Sequence, residues 1–206
     1  VNAGATAERV YDALKSRIMT HEFRPGDRLD PGILAASLAA SVTPVRDALH
    51  RLTGEGIVET RSAGGFHIPA LDEPALKDLY NWSSELLTLA IRTWPRGEAV
   101  PTAVSPSGRG DTARHAGLVF LGIARRSANS EHARAVTRLN ARLHAVRCIE
   151  PRVLADTEAE LEGLVEAFQS AINDGRRDRL IRVCTAYHNR RRRGAAQIVR
   201  ARYRID

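Results

Sequence analysis

Thr43-Pro-Val-Arg-Asp-Ala-Leu-His-Arg-Leu-Thr-Gly54 is the stretch on which the reading of this chain turns. Its spacing predicts a short helix. Thr43 is a candidate cap, and Pro44 falls at the first helical position, where a missing N–H costs nothing. Gly54 and Gly56 are stop signals at the other end. Val45, Ala48, Leu49 and Leu52 form an apolar stripe, and Thr43, Arg46, His50 and Thr53 a polar stripe on another face. Such a helix docks on a small core by one side and offers Arg, His and Thr to a groove by the other, as a DNA recognition helix does. Taken alone, these twelve residues fit an ordinary amphipathic surface helix better. The flanks decide.

Upstream, Val10, Leu14 and Ile18 recur at four-residue steps and predict a first helix over 6–20. Phe23-Arg-Pro-Gly-Asp-Arg-Leu29 reads as a turn around Pro25-Gly26. Residues 32–39 predict a short second helix, joined to the helix at 43 by Ala40-Ser41-Val42, which is helix-turn-helix spacing. Downstream, 57–61 and 66–69 predict two strands joined by Ser62-Ala-Gly64-Gly65, a hairpin with a Gly-containing loop. Helix, helix-turn-helix and hairpin make a winged helix.

In this order and spacing, residues 7–70 resemble the DNA-binding domain of GntR-family bacterial transcription regulators. The matching pieces are Arg24-Pro-Gly-Asp-Arg-Leu29, Leu34-Ala35, Leu38, Ser41-Val-Thr-Pro-Val-Arg-Asp-Ala-Leu49, Arg51-Leu52, Glu55-Gly-Ile-Val58 and Gly65. The resemblance implies that Thr43 and Arg46 contact phosphates or base edges. It places Arg51, Arg61 and the Gly64-Gly65 wing tip near the backbone or minor groove, with His50 on the same polar stripe as Arg46. Two alternatives stay open: Arg46 as an ion-pair partner of Asp47 or Glu55, and the wing glycines as turn residues only. The chain also departs from the pattern. Val42 stands where the family usually has Arg, and Asp30-Pro31-Gly32 where Glu or Arg is frequent.

Composition sets bounds on the rest. A length of 206 residues suits one domain or two small ones, and aromatics at 5% make any core aliphatic. No apolar window is long enough for a membrane helix, and the first residues do not read as a signal peptide. A cytoplasmic location without membrane contact is therefore expected. Cys148 and Cys184 fall in helical patterns and are expected to be buried thiols. The net charge of +7 favours a polyanion. Yet residues 1–70 carry eight basic and eight acidic groups, so the excess lies beyond them.

After Pro69 the pattern is all-helical. Asp72-Glu-Pro74 opens a helix that runs to about Thr93. Residues 94–110, with three prolines and three glycines, predict a long loop. Helices are expected over 112–127, 130–148, 152–173 and 177–202, with stripes such as Leu139, Leu143, Val146 and Leu161, Leu164, Phe168. The expectation is thus a mostly α chain: a winged helix-turn-helix over 1–70 and a helical bundle over 71–206 for effector binding and dimerisation.

The second part resembles, more loosely, the helical effector domain of the FadR-like GntR subgroup. Its markers are Leu79-Tyr80, Phe120, Asn129, Ala167-Phe168 and Tyr187-His188. That resemblance implies a divalent metal held by one Asp and three His beside a small carboxylate. The ligands are not in place: Gly117 stands at the Asp position, Leu121 at a His position, Leu161 or Val165 at the next, and Ser83 where an Arg is usual. His188 alone remains. Ser83, Leu121, Leu161 and His188 are therefore pocket candidates, and no cofactor or metal is expected. A rewired set, Asp111, His115, Glu166 and His188, is the alternative metal site. Without a metal, an apolar or cationic effector, or none, is expected. The Arg190–Arg193 run reads as a solvated face or, alternatively, as phosphate contacts. No nucleophile elbow, phosphate loop or HExxH motif points to an enzyme. The reading is a homodimeric regulator, a repressor, that binds a pseudo-palindromic operator in double-stranded DNA and answers to a small molecule. The competing readings are a protein-contact module and a metal-dependent enzyme.

Overall fold

In a computed structural model of the chain, residues 3–62, 64–95 and 111–204 are described. They divide into two units, Val1–Leu71 with Arg202–Asp206, and Asp72–Ala201.

The first unit is a winged helix-turn-helix. Helix α1 (Ala3–Met19) buries Val10, Leu14 and Ile18, the residues at four-residue steps. Helix α2 (Pro31–Ser37) starts one residue before the expected position. Asp30 caps it by accepting from the Gly32 and Ile33 amides at 2.8 and 3.1 Å. Helix α3 (Val42–Gly54) buries Val45, Ala48, Leu49 and Leu52. Its start differs from the expectation: the N-cap is Ser41, not Thr43, and Pro44 is the third helical residue. The first-turn N–H groups of a helix have no internal partner, so proline is tolerated there as well as at the first position. At the other end Gly54 closes α3, and Gly56, at φ +73°, supplies the left-handed residue that reverses the chain.

The wing is a three-stranded antiparallel sheet in the order β1-β3-β2, from Arg28–Leu29, Glu59–Thr60 and Phe66–His67. Strand β1 lies in the segment read as a turn. Ile57 and Val58, expected in a strand, instead aim their amides at the Leu52 carbonyl at 3.1 and 3.3 Å and bury their side chains. Close to the chain's end, Arg202 donates to the Phe23 carbonyl at 2.7 Å, and the Tyr203 hydroxyl accepts from the Leu71 amide at 3.2 Å.

The second unit is a helical bundle: α4 (Glu73–Arg92), α5 (Thr112–Arg125), α6 (Ser130–Arg147), α7 (Glu150–Val153), α8 (Thr157–Asn173), α9 (Arg177–Arg193) and α10 (Ala195–Tyr203), the last of which ends in the first unit. Asp72, Asp111 and Asn129 cap α4, α5 and α6 through their side chains. Leu87, Val119, Phe120, Ile123, Leu164 and Phe168 lie at the centre of its core. Two expected helices are each broken once. The 152–173 segment breaks at Leu154–Asp156, where Asp156 turns to φ +53°. The 177–202 segment breaks at Gly194, where an added Cβ would stand 3.1 Å from Leu154 Cδ2. Most of the loop expected over 94–110 lies outside the described residues. Its first residue is not loop-like: Trp94 is buried in the bundle core and donates from Nε1 to the Ile123 carbonyl at 3.0 Å. Cys184 is fully buried, and burial pushes its thiol up to about 12. Cys148 is only half-buried, because it sits at the C-cap of α6 rather than on its apolar stripe.

Candidate nucleic-acid interface and bundle cavity

Helix α3 turns its apolar stripe inward, and this decides what its other face presents. Thr43, Arg46 and His50 are exposed. Thr53 is spent on its own helix, its hydroxyl donating to the Leu49 carbonyl at 2.9 Å. The His50 ring meets Phe66 of β3 edge to face, with ring centroids 4.9 Å apart, and so ties α3 to the wing. Glu55, one proposed partner of Arg46, is held elsewhere. Lys15 Nζ donates to it at 2.6 Å and the Tyr11 hydroxyl donates to its other oxygen. Among the described residues Arg46 has no ion-pair partner, and Asp47 does not supply one. The field of Arg46 does reach Asp30: the carboxyl is held below its usual range first by the Ile33 and Gly32 amides, then by Arg28 and Arg46. Helix α2 therefore begins on the same side as these two arginines.

The other expected contacts fare differently. Arg51 is turned to α1: it donates to Glu8 at 2.8 Å, and its guanidinium lies 3.6 Å from the centre of the Tyr11 ring. That pairing gives Arg51 a role inside the unit, on a different side from Arg46. Arg61 pairs with Glu59 at 2.9 Å along the wing. Gly64 and Gly65 have φ of +84° and +88°, so both are required by the left-handed turn whatever they touch. A residue missed by the sequence reading is Arg28. It is exposed on β1, opposite His67, and its side chain lies against Gly65. Its signal was its place in a strand that only the β1–β3 pairing reveals.

In the bundle, Ser83 and His188 come together. His188 is 0% exposed; its Nδ1 lies 2.7 Å from the Cys184 carbonyl and its Nε2 2.9 Å from Ser83 Oγ. A carbonyl only accepts, so Nδ1 carries the proton and Nε2 accepts from the serine. Burial pushes His188 down to about 3, aided by Arg147 and Arg191 against the opposing Cys184 carbonyl. Its one lone pair is thus already used. Leu161 is buried and lines a small cavity, while Leu121 is half-buried at the edge of the core. The rewired metal set does not converge. Asp111 caps α5 by accepting from the Arg114 amide, Glu166 pairs with Arg179 at 3.1 Å, and His188 is closed off by Ser83. Among the described residues no group of three or more His, Cys, Asp or Glu stands close enough to share an ion.

The Arg190–Arg193 run is neither of the two things expected of it as a whole. Four successive helical residues point about 100° apart, so one of them must face the core. Arg191 does: it is 1% exposed, donates to Glu150 at 2.8 Å and Glu160 at 2.7 Å, and stacks on Tyr187. Tyr80 donates to the other oxygen of Glu150 at 2.6 Å. Arg190 pairs with Glu160, while Arg192 and Arg193 remain exposed.

A second core arginine, Arg147, is 2% exposed and only partly satisfied. Its Nη1 donates to Asn140 at 2.8 Å, and Asn140 donates to the Gly117 carbonyl at 2.7 Å. Among the described residues its Nε and Nη2 have no hydrogen-bond partner, and its guanidinium lies 5.1 Å from the Phe120 ring centre. Arg147 lines the small cavity together with Thr112, Ala116, Glu150, Leu161 and Arg191.

Residues 6–68 match the family described as "Bacterial regulatory proteins, gntR family". The N-terminal domain belongs to this family. The chain is 42% identical over 74 residues to the "Nta operon transcriptional regulator" of Aminobacter aminovorans, covering 36% of this chain and 35% of that protein. It is 31% identical over 85 residues to the "HTH-type transcriptional repressor GlaR" of Escherichia coli, covering 39% of each. The matches thus span between a third and two fifths of these curated relatives. A putative GntR transcriptional regulator from Rhodococcus sp. RHA1 shares the fold at a TM-score of 0.68 and 14% identity, over 94% of this chain and 97% of that one. Beside the gntR domain, no described helix is long and apolar enough to cross a membrane.

Proposed function

We propose that this chain is a homodimeric, sequence-specific transcription repressor, a binding protein and not an enzyme, whose winged helices each read half of a pseudo-palindromic operator. The observation that carries the reading is Arg46: exposed, without an ion-pair partner among the described residues, on the outward face of α3 in a gntR domain. An arginine so placed reads guanine through O6 and N7. Dimerisation is supported by Trp82 and Leu89, large exposed apolar residues two turns apart on α4. Repression follows the named activity of a relative. Genomic fragments recovered on the full chain test the reading. One palindromic site should be enriched, and Arg46→Ala should weaken it about five- to 150-fold for each half-site, the worth of a lost bidentate contact of ~1–3 kcal/mol. No enrichment even at low salt, where phosphate contacts are strongest, would leave protein contacts as the better reading.

The effector site in this reading is centred on Arg147, where the cavity is about the size of one water molecule, so a ligand enters only as the side chains around it move apart. A buried guanidinium with two unpaired donors favours a small anion, not the apolar or cationic ligand expected from sequence. Thermal melts with the smallest monocarboxylates, formate and acetate, should show a rise in Tm for the native chain and none for Arg147→Gln. A rise with alkylammonium ions instead would reverse the assignment.

A further inference from the structure

The first turn of α3 carries an unusual side chain for its position. Val42 is the first residue of the helix and 42% exposed. It lies one turn before Arg46, next to the exposed Thr43, and the preceding Ser41 makes no side-chain cap bond that would cover it. The buried stripe of α3 begins only at Val45, so Val42 lies outside the core. Among the described residues of the gntR domain the other large exposed apolar side chain is Ile33, 73% exposed on the first turn of α2. The field of Arg46 reaches the Asp30 cap of that same helix. Two hydrated aliphatic side chains thus stand at the starts of both helices of the helix-turn-helix, beside its unpaired arginine.

We infer that Val42 is a specificity-determining residue that reads a thymine methyl group in the major groove. The inference rests on the operator-binding reading of the preceding section. N-terminal residues of a recognition helix meet base edges. A valine there has no donor or acceptor to offer, which excludes hydrogen-bonded discrimination. Thymine is the one base that shows a methyl in that groove, so apolar contact selects T·A over the other pairs. Covering one methyl is worth about a fourfold change in affinity. An arginine at this position would read guanine instead, so Val42 sets a different half-site. Ile33 belongs to the helix that crosses the backbone. Its expected contact is with sugar, without sequence content.

The test selects operator DNA from a random pool with the native chain, Val42→Ala and Val42→Arg. Each thymine of the native operator is then replaced singly by deoxyuridine, which lacks only the methyl. The native chain should demand T at one symmetric position per half-site and bind about fourfold more weakly with uridine there. Val42→Ala should bind T and U alike and lose the preference, and Val42→Arg should move it to G. Unchanged affinity with uridine at every thymine overturns the assignment, as does a T/U difference that survives in Val42→Ala. Val42 is exposed and outside the core, so these variants leave the fold intact. Failure of the operator reading looks different: the native chain then enriches no sequence, and Arg46→Ala changes nothing.

Discussion

Ala39 shows how one residue can hold a correct motif with an imperfect side chain. After α2 the Ala40 amide donates to the Ala35 carbonyl at 3.0 Å and the Ala39 amide to the Ala36 carbonyl at 3.3 Å. This pair of bonds is the glycine-type helix ending, with Ala39 in the left-handed position at φ +48°. Alanine pays about 1–2 kcal/mol there, and glycine would repay part of that in the unfolded chain. Ala39→Gly should therefore stabilise the first unit by about 0.5–1 kcal/mol, seen as a higher urea midpoint at unchanged slope. A lower midpoint would show that the backbone is not held in this conformation. Arg46 and Arg51 make the complementary point. They are five residues apart in one helix, identical in chemistry, and separated in role only by what α1 brings to Arg51.

At the scale of the element, the bundle's His188 contact makes stability depend on pH. The folded imidazole is pushed down to about 3, against an ordinary 6.5 in the unfolded chain. Between these values the unfolded state binds the proton and the folded state does not, so stability falls as pH drops from about 6.5, by ~1.4 kcal/mol per unit at the steepest. Melting curves from pH 7 to 4 should show this slope in the native chain and a shallower one in His188→Gln, whose amide can still bridge Ser83 and the Cys184 carbonyl. Equal slopes would mean that the carboxylates alone govern acid sensitivity. Elements were also where the sequence was most and least readable. Helices α3, α4 and α6 were legible because period and caps lie within a dozen residues, as with the Asp72 and Asn129 caps. Strand β1 was not. Two residues have no period, and Arg28-Leu29 becomes a strand only through pairing with Phe66-His67. The breaks at Asp156 and Gly194 escaped for a similar reason, since Gly194 is fixed by Leu154, forty residues away. Arg147 and Arg191 were illegible as core residues: an arginine codes for surface until a partner makes burial tolerable, the distant Glu150 for Arg191 and, for Arg147, Asn140 two turns back on α6, itself tied to the Gly117 carbonyl of α5.

For the whole molecule, the +7 net charge suggests strong attraction to DNA, but its distribution argues otherwise. The segment 1–70 is neutral, and its cations are largely committed. Lys15, Arg17, Arg51 and Arg61 each pair with a carboxylate. Arg9 faces the Leu38 carbonyl at 3.4 Å. Arg28 and Arg46 stay without a carboxylate partner among the described residues. Two or three phosphate contacts per half-site make roughly five for a dimer. Since each neutralised phosphate contributes about −0.9 to the slope of log K against log salt, the operator complex should show a slope near −4 to −5. Fluorescence anisotropy of a labelled operator between 50 and 300 mM salt measures this directly. A slope near −10 would mean that arginines of residues 71–206, such as Arg192 and Arg193, engage the backbone as well. The shallow slope would instead place a larger share of the affinity in base contacts at Arg46 and Val42, so that selectivity survives at salt concentrations that strip off non-specific binding.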